Sequence, residues 1–172
     1  MHEAAFHFIA HIVQKEGPFD SVIEIGSLDI NGTVRPLFGD AEYTGLDPQE
    51  GPGVDWVGDA LDYKPKKKVD CVVCCEVLEH SPKWQAIVKK GMEWLDDDGV
   101  FLITAAGPGR KPHSAVDGSH NVRDFEHYEN IRPSDLAKEL LPDFITEGTA
   151  SVGVQVRTLG EDTQAVAVRH AL

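Results

Sequence analysis

Residues 22–38 read VIEIGSLDINGTVRPLF, and this stretch determines how the rest of the chain is interpreted. The apolar run that begins at Ser21 ends at Gly26, which is typical of a short buried strand followed by a tight turn. A turn-rich segment comes next, and a short helix is predicted around residues 34–38. A strand, a turn and a helical segment in this order predict the first unit of a parallel sheet.

The segments on either side of this stretch continue the alternation of helix and strand. A helix is predicted over residues 3–15, and a second one runs from Trp84 to Leu95, with Ser81 as its N-cap and a turn at residues 96–99 after it. Further strands are predicted at residues 43–46, 54–57, 69–75 and 100–104. These elements indicate an α/β fold with a mostly parallel sheet and helices on both faces.

The C-terminal third has a different pattern. A helix is predicted over residues 133–141, and two alternating segments, 152–157 and 164–168, lie on either side of a turn at 160–163. This pattern predicts a hairpin, so the parallel sheet should end in antiparallel strands. No repeat or linker divides the chain, and we therefore interpret residues 1–172 as a single domain.

Charge and composition restrict the classes of partner. The chain has 16 basic and 29 acidic residues and a net charge of -13, which argues against binding to nucleic acid or to anionic membranes. No apolar run approaches the roughly 20 residues that a membrane-spanning helix needs. The three cysteines, Cys71, Cys74 and Cys75, lie in one predicted strand that suits core packing. We therefore expect a reduced, cytoplasmic protein.

The residues at the predicted strand ends indicate a ligand. Gly26, Asp47, Asp59 and Glu76 each follow an apolar run, and ligands of open parallel sheets bind at the carboxyl ends of the strands. The chain lacks both the G-x-G-x-x-G pattern of dinucleotide sites and the G-K-[ST] of phosphate-binding loops. Carboxylates suit ribose hydroxyls and a cationic group, and Asp47 lies 21 residues after Gly26. S-adenosylmethionine combines these features without a phosphate.

Four motifs carry a resemblance to a known family. They are VIEIGSLDINGTVRPLF at 22–38, YTGLDPQEGPGVDWVGDA at 43–60, VDCVVCCEVLEHSPKW at 69–84 and DDDGVFLITAAGPG at 96–109. In this order they resemble the class I S-adenosylmethionine-dependent methyltransferases, above all small proteins whose first motif reads E-I-G-S-x-D-x-N-G. The resemblance covers about residues 20–145 and implies a Rossmann-like methyltransferase sheet.

The resemblance assigns cofactor contacts to nine residues: Glu24, Gly26, Ser27, Asp47, Pro48, Asp59, Ala60, Cys75 and Glu76. It implies that Glu24 orders the glycine loop and the methionine amino group. Gly26 and Ser27 would let the backbone approach the cofactor, because glycine has no side chain there. Asp47 would accept hydrogen bonds from the ribose hydroxyls, and Asp59 from the adenine amino group.

The same resemblance places the other assigned residues around the two ends of the cofactor. Pro48 would stiffen the loop that faces the adenine, and Ala60 would present its backbone beside that ring. Cys75 and Glu76 would meet the methionine portion, where the fourth predicted strand reaches the substrate pocket.

Residues 107–132 form a long segment without periodicity, and such a segment in a small domain is usually functional or disordered. The resemblance implies that it is a substrate lid. We consider His113 and His127 as candidate catalytic bases, because a base accelerates transfer to a hydroxyl or amine. Candidate substrate-binding residues are His80, Asp117 and Tyr128. The predicted acceptor is a small polar or glycan-type molecule, and a protein acceptor is also compatible with the sequence.

No metal site is predicted. His7 and His11 share a helix face without a third ligand nearby, and strand alternation points Cys71 and Cys74 to opposite faces. Two other functions are open at this point. One is a nicotinamide-dependent oxidoreductase, for which the glycine pattern is missing and Tyr63-x-x-x-Lys67 is misplaced. The other is a methyltransferase-like protein that binds a nucleoside without catalysing transfer.

Overall fold

A seven-stranded sheet forms the centre of the computed structural model, which describes residues 2–141 and 150–171. Its strands are β1 (Ser21–Ile25), β2 (Glu42–Asp47), β3 (Trp56–Val57), β4 (Val69–Cys75), β5 (Leu95–Ala106), β6 (Ala150–Leu159) and β7 (Asp162–Ala171). The strand order is β3-β2-β1-β4-β5-β7-β6, in which β1 to β5 are parallel and β7 is antiparallel to both of its neighbours. The predicted α/β fold, with its antiparallel C-terminal hairpin, is confirmed.

Helices cover both faces of this sheet. They are α1 (Glu3–Glu16), α2 (Trp84–Trp94) and α3 (Pro133–Glu139). Ile9 of α1 packs in one apolar cluster with Cys71, while Ile87 of α2 and Leu136 of α3 pack in a second cluster with Cys74. The two cysteines therefore point to opposite faces, as strand alternation predicted, and both thiols are free.

Residues 96–99 do not form the predicted turn between a helix and a strand, so this prediction is wrong. They lie inside β5, since Val69 pairs with Leu95 on one side of them and Cys71 pairs with Val100 on the other. One residue of β4 therefore lies opposite residues 96–99 of β5, and the additional residues form a bulge in β5. The strand continues through the segment because residues on both sides of it pair with β4.

Several predicted boundaries also move by a few residues. α2 begins at Trp84, and Ser81 is not its N-cap, because its Oγ accepts from the Lys83 backbone N–H at 3.2 Å in the preceding turn. α3 ends at Glu139, and the hairpin turn consists of residues 160–161 only. Residues 1, 142–149 and 172 of the proposed domain lie outside the described residues. Within the described part, no helix has the length and apolar content that a membrane crossing requires.

The loop after β1 is fixed to the next strand by its backbone. The N–H groups of Gly26 and Ser27 both donate to the carbonyl of Leu46, at 2.8 and 3.0 Å. Gly26 has a φ of 77°, and a Cβ atom there would overlap Cγ2 of Val77. A glycine is therefore required at this turn both by backbone conformation and by space.

Candidate functional site

A cavity of about 880 Å³ lies at the carboxyl ends of the parallel strands, within the size range of small-molecule and cofactor sites. All nine residues to which the sequence assigned cofactor contacts line this cavity. The first strand supplies its Glu24 side chain and the loop after it supplies Gly26 and Ser27. The structure thus brings together residues that are up to 52 positions apart in the chain, from Glu24 to Glu76.

Asp47 and Asp59 differ in how far their carboxylates are already engaged. Among the described residues, Asp47 accepts only from backbone N–H groups, from Gln49 at 2.9 Å and from Leu28 at 3.4 Å, and burial raises its pKa. Asp59 accepts from the Leu61 N–H at 3.0 Å and pairs with Lys83 Nζ at 3.1 Å. The backbone hydrogen bond and then the lysine lower the pKa of Asp59. Asp47 therefore has more capacity left for a ligand.

Glu24 is buried in the cavity wall next to a neutral partner. Its Oε2 accepts a hydrogen bond from the Tyr43 hydroxyl at 2.8 Å, and 5% of the residue is exposed. Burial raises the pKa of Glu24 to about 7, although the Tyr43 hydrogen bond and the nearby Arg35 charge act in the opposite direction. A cation placed beside this carboxyl would favour its ionised form.

Four charged side chains form a network, and three of them, His2, Glu76 and Arg110, line the cavity. The Arg110 guanidinium lies 2.8 Å from Glu76 Oε2 and 2.6 Å from Asp162 Oδ1, and the His2 ring is 3.3 and 3.2 Å from the same two carboxylates. The hydrogen bond to Asp162, followed by that to Glu76, raises the pKa of His2 to about 9. Burial alone would raise the pKa of Glu76, but His2 and Arg110 outweigh it and lower that pKa. Arg110 and His2 thus keep Glu76 ionised, and Arg110 Nη1 itself lies 2.7 Å from His2 Nε2.

The predicted lid, residues 107–132, forms the opposite wall of the cavity. It contributes Arg110, Lys111, His113, Ser114, Ala115, Gly118 and His120 to the lining. The segment contains no helix or strand and is organised around Glu126. That carboxylate accepts from the Ser114 hydroxyl and from the Ala115 and Arg123 backbone N–H groups, each at 2.8 Å. No sequence pattern singles out Glu126, because a loop without periodicity does not indicate which acidic residue its backbone surrounds.

Two histidines of the cavity lining, His80 and His113, pack edge to face with each other and with Tyr128. The ring centroids are separated by 4.8 Å between His80 and His113, by 5.6 Å between His80 and Tyr128, and by 5.1 Å between His113 and Tyr128. Burial, and then the adjacent His113, lowers the pKa of His80 to about 4. Burial also lowers the pKa of His113. Both imidazoles are therefore neutral at physiological pH and have a lone pair for a proton or a ligand.

Glu79 is a site residue that sequence reasoning missed. It has no exposed surface, its Oε1 accepts from the Ala106 N–H at 3.1 Å, and its Oε2 has no hydrogen-bond partner among the described residues. Burial, followed by the charge of Glu76, raises the pKa of Glu79 to about 8. The sequence analysis assigned no role to Glu79, because the sequence does not show that the Ala106 backbone N–H lies against its carboxylate.

Three of the five candidate catalytic or substrate-binding residues do not line the cavity. His127 is outside the lining and has its Nε2 3.4 Å from Glu129 Oε1, and Asp117 forms an ion pair with Arg123 at 2.8 Å on the lid. Tyr128 is also outside the lining, although it contacts the rings of His80 and His113, which belong to it. The cavity therefore distinguishes His113 from His127 as a candidate base.

No family model matches the chain, and no curated protein sequence matches it significantly. Solved structures do match. One is the 1,6-didemethyltoxoflavin-N1-methyltransferase of Burkholderia thailandensis with bound 1,6-didemethyltoxoflavin and S-adenosylhomocysteine, which has a TM-score of 0.65 and 16% identity over 99% of this chain and 80% of that chain. This chain has a methyltransferase fold.

Two further neighbours agree with this result. The N-terminal domain of EvdMO1, solved in the presence of S-adenosylhomocysteine and D-fucose, has a TM-score of 0.62 and 14% identity over 99% of this chain and 84% of that chain. The N-methyltransferase NodS of Bradyrhizobium japonicum, in complex with S-adenosylhomocysteine, has a TM-score of 0.61 and 13% identity over 97% and 86%. At these identities the match establishes the Rossmann-like methyltransferase fold.

Proposed function

We propose that this protein is an S-adenosylmethionine-dependent methyltransferase that acts on a small polar or glycan-type acceptor. The observation that carries the proposal is that one cavity at the strand ends is lined by all nine residues expected to contact the cofactor. The fold is shared with two methyltransferases solved with bound S-adenosylhomocysteine and with the EvdMO1 domain solved in its presence. Because a fold alone supports many functions, the assignment depends on these residues.

The chemistry of the cavity wall fits the proposed cofactor. Ser27 Oγ is buried in the wall without a hydrogen-bond partner among the described residues, and Asp47 has acceptor capacity left for ribose hydroxyls. Glu24, whose pKa is about 7, would ionise beside the methionine ammonium. Asp59 and Ala60 would bind the adenine, with Pro48 stiffening the loop beside it. Cys75 and Glu76 would contact the methionine portion.

When bound, S-adenosylmethionine supplies an activated methyl group on a sulfonium. The chain's main contribution is to hold donor and acceptor in line, and near-attack geometry of this kind supplies about 7–11 kcal/mol. His113 lines the cavity and is neutral, so it is the side chain best placed to accept a proton from an acceptor hydroxyl or amine, or to orient it. His80 would contact the acceptor, and Tyr128 would hold both imidazoles in place.

His127 and Asp117 have weaker support as acceptor residues. Neither lines the cavity, so a role for them would require the lid to rearrange. The expected partner is a small molecule, consistent with the cavity size, and the net charge of -13 argues against nucleic acid. The three free thiols fit a reducing compartment such as the cytoplasm.

Calorimetric titration with S-adenosylhomocysteine, S-adenosylmethionine and NAD in parallel tests the proposal. We expect micromolar binding of the two adenosyl compounds and a corresponding rise in melting temperature. Binding of NAD alone would replace the proposal with a nicotinamide-dependent oxidoreductase. Binding of both adenosyl compounds, with no methyl transfer to any member of a panel of polar small molecules and glycans, would favour a non-catalytic nucleoside-binding protein.

A further inference from the structure

We propose that Glu79, His80 and His113 form a binding site for one divalent transition-metal ion at the acceptor end of the cavity. One ligand atom from each residue lies within 4.8 Å of the other two. Metal–ligand bonds of about 2.0–2.2 Å allow two ligands of one ion to be at most about 4.4 Å apart. Side-chain shifts of less than about 1 Å would therefore bring the three atoms to bonding distance.

A second observation is independent of this spacing. Glu79 Oε2 and His80 Nδ1 are both buried atoms without a hydrogen-bond partner among the described residues. A buried polar atom with no partner is unfavourable by about 1–3 kcal/mol, so two of them on consecutive residues require an explanation. Both are lone-pair acceptors when Glu79 is ionised, and a cation between them would satisfy both.

The surroundings hold these ligands in place. Glu79 Oε1 accepts from the Ala106 N–H at 3.1 Å, which fixes one oxygen and leaves the other for an ion. His113 Nδ1 lies 3.4 Å from the Lys111 carbonyl, and metal-binding histidines commonly have a carbonyl on the nitrogen that does not bind. Tyr128 packs against both imidazoles. The backbone of Ala106 and Lys111 and the ring of Tyr128 thus hold the three ligands in their orientations.

The second cluster of metal-ligating residues in the described chain makes a useful contrast. His2, Glu76 and Asp162 also have ligand atoms within 4.8 Å of one another. The Arg110 guanidinium already lies 2.8 Å from Glu76 and 2.6 Å from Asp162, so a cation occupies that cluster. The group formed by Glu79, His80 and His113 has no such occupant among the described residues.

The ligand types indicate which ion would bind. Two imidazoles and one carboxylate suit Zn²⁺, Co²⁺, Fe²⁺ or Mn²⁺, whereas Mg²⁺ and Ca²⁺ prefer oxygen ligands. Three protein ligands leave at least one coordination position, and His80 and His113 both line the cavity. This last step rests on the proposed function, since the open position would take an oxygen atom of the acceptor. With an ion bound, His113 would orient the acceptor through the metal and would not serve as the base.

Titration of the chelator-treated full chain with Co²⁺, followed by visible absorption and equilibrium dialysis, tests the site. We expect one Co²⁺ per chain with a micromolar dissociation constant and d–d bands without thiolate charge transfer. His113→Ala, on the half-exposed lid, should weaken binding at least tenfold, and so should His80→Ala and Glu79→Gln. The matched controls His2→Ala and His7→Ala should leave binding within about twofold.

Several outcomes would overturn the proposal. These are the absence of binding at 1 mM Co²⁺, binding that all three ligand substitutions leave unchanged in folded protein, and binding that His2→Ala removes. Strong thiolate charge transfer would assign the ion to a cysteine instead. Titration of the same samples with S-adenosylhomocysteine separates this result from the proposed function, because cofactor binding without Co²⁺ binding contradicts the metal site alone. Co²⁺ binding without cofactor binding contradicts the methyltransferase alone.

Discussion

The two ends of the cavity are built in different ways. At the proposed cofactor end, around Gly26 and Asp47, backbone hydrogen bonds fix the loop. The N–H groups of Gly26 and Ser27 hold it against Leu46 of the next strand. At the acceptor end, the lid of residues 107–132 has no regular secondary structure and is folded around the Glu126 carboxylate. The sheet determines one end, and side-chain interactions within a single loop determine the other.

This difference indicates which properties can change independently. Substitutions in the lid alter the shape and chemistry of the acceptor pocket without disturbing any strand pairing, because the lid is not part of the sheet. Changes at the strand ends alter the sheet and the cofactor contacts together. Acceptor choice is therefore expected to be the more variable property, in line with the general concentration of function on loops.

The largest expected effect tests the acceptor end. His113→Ala should lower turnover by roughly 10²-fold or more, whether the imidazole accepts a proton or orients the acceptor, and should change the affinity for S-adenosylhomocysteine by less than about twofold. His127→Ala is the matched control, because it removes the same side chain from the same lid at a position outside the cavity lining. The measurement is steady-state methyl transfer, alongside calorimetry.

Equal turnover in these two variants and the unsubstituted protein would show that positioning alone accounts for the rate. A loss of turnover in His127→Ala but not in His113→Ala would show that the lid adopts a different arrangement when the acceptor binds. Both results would remove the basis for choosing His113 from the cavity lining.

The next effect tests the cofactor end. Asp47→Ala should weaken S-adenosylhomocysteine binding more than tenfold, since hydrogen bonds to a charged acceptor contribute about 1.5–3 kcal/mol each. Asp59→Ala should change it by only about threefold, because Leu61 and Lys83 already engage that carboxylate. Calorimetry on folded variants measures both. A larger loss of affinity for Asp59→Ala than for Asp47→Ala would contradict the prediction. It would mean that the adenine displaces Lys83 from Asp59.

A smaller effect concerns pH at the same end of the cavity. Glu24 has a pKa of about 7 in the free protein, and the ammonium group of a bound ligand favours its ionised form. Binding therefore releases a proton below pH 7, and affinity for S-adenosylhomocysteine should fall about tenfold from pH 8 to pH 6. Glu24→Gln should remove this dependence. Calorimetry in buffers of different ionisation enthalpy counts the protons, and an affinity that is flat in the unsubstituted protein would contradict the placement of the ammonium.

The smallest effect concerns the charged network of His2, Glu76, Arg110 and Asp162. The pKa of His2 is raised to about 9, so the stabilisation from its charge is complete below its ordinary value near 6.5 and is lost as pH rises through 9. His2→Ala should reduce the free energy of unfolding by about 1 kcal/mol at pH 6, because the ring is partly exposed and its ion pairs are screened. The loss should shrink above pH 9. Chemical denaturation at the two pH values measures it, and a loss that does not depend on pH would assign His2 a packing role only.

Sequence reasoning reached the cofactor end more fully than the acceptor end, for a physical reason. Residues such as Asp47 and Glu76 follow apolar runs, and strand topology alone brings the ends of parallel strands to one edge. Glu79 and Glu126 carry no such signal, since their environments arise from a lid that has no repeating pattern. The prediction of a turn at residues 96–99 is wrong because Asp and Gly are common in both turns and bulges. Only the pairing of β4 with β5 distinguishes the two.

The contact at Gly26 also restricts the order in which substitutions could be accepted during evolution. A Cβ atom at Gly26 would overlap Cγ2 of Val77 but lie 3.5 Å from Cβ of that residue. Val77→Ala would therefore remove the overlap and leave only the cost of an alanine at positive φ, about 1–2 kcal/mol. The two positions should show magnitude epistasis, in which Gly26→Ala is more destabilising before Val77→Ala than after it. Variation at residue 26 is thus conditional on residue 77, which lies 51 positions away in the chain.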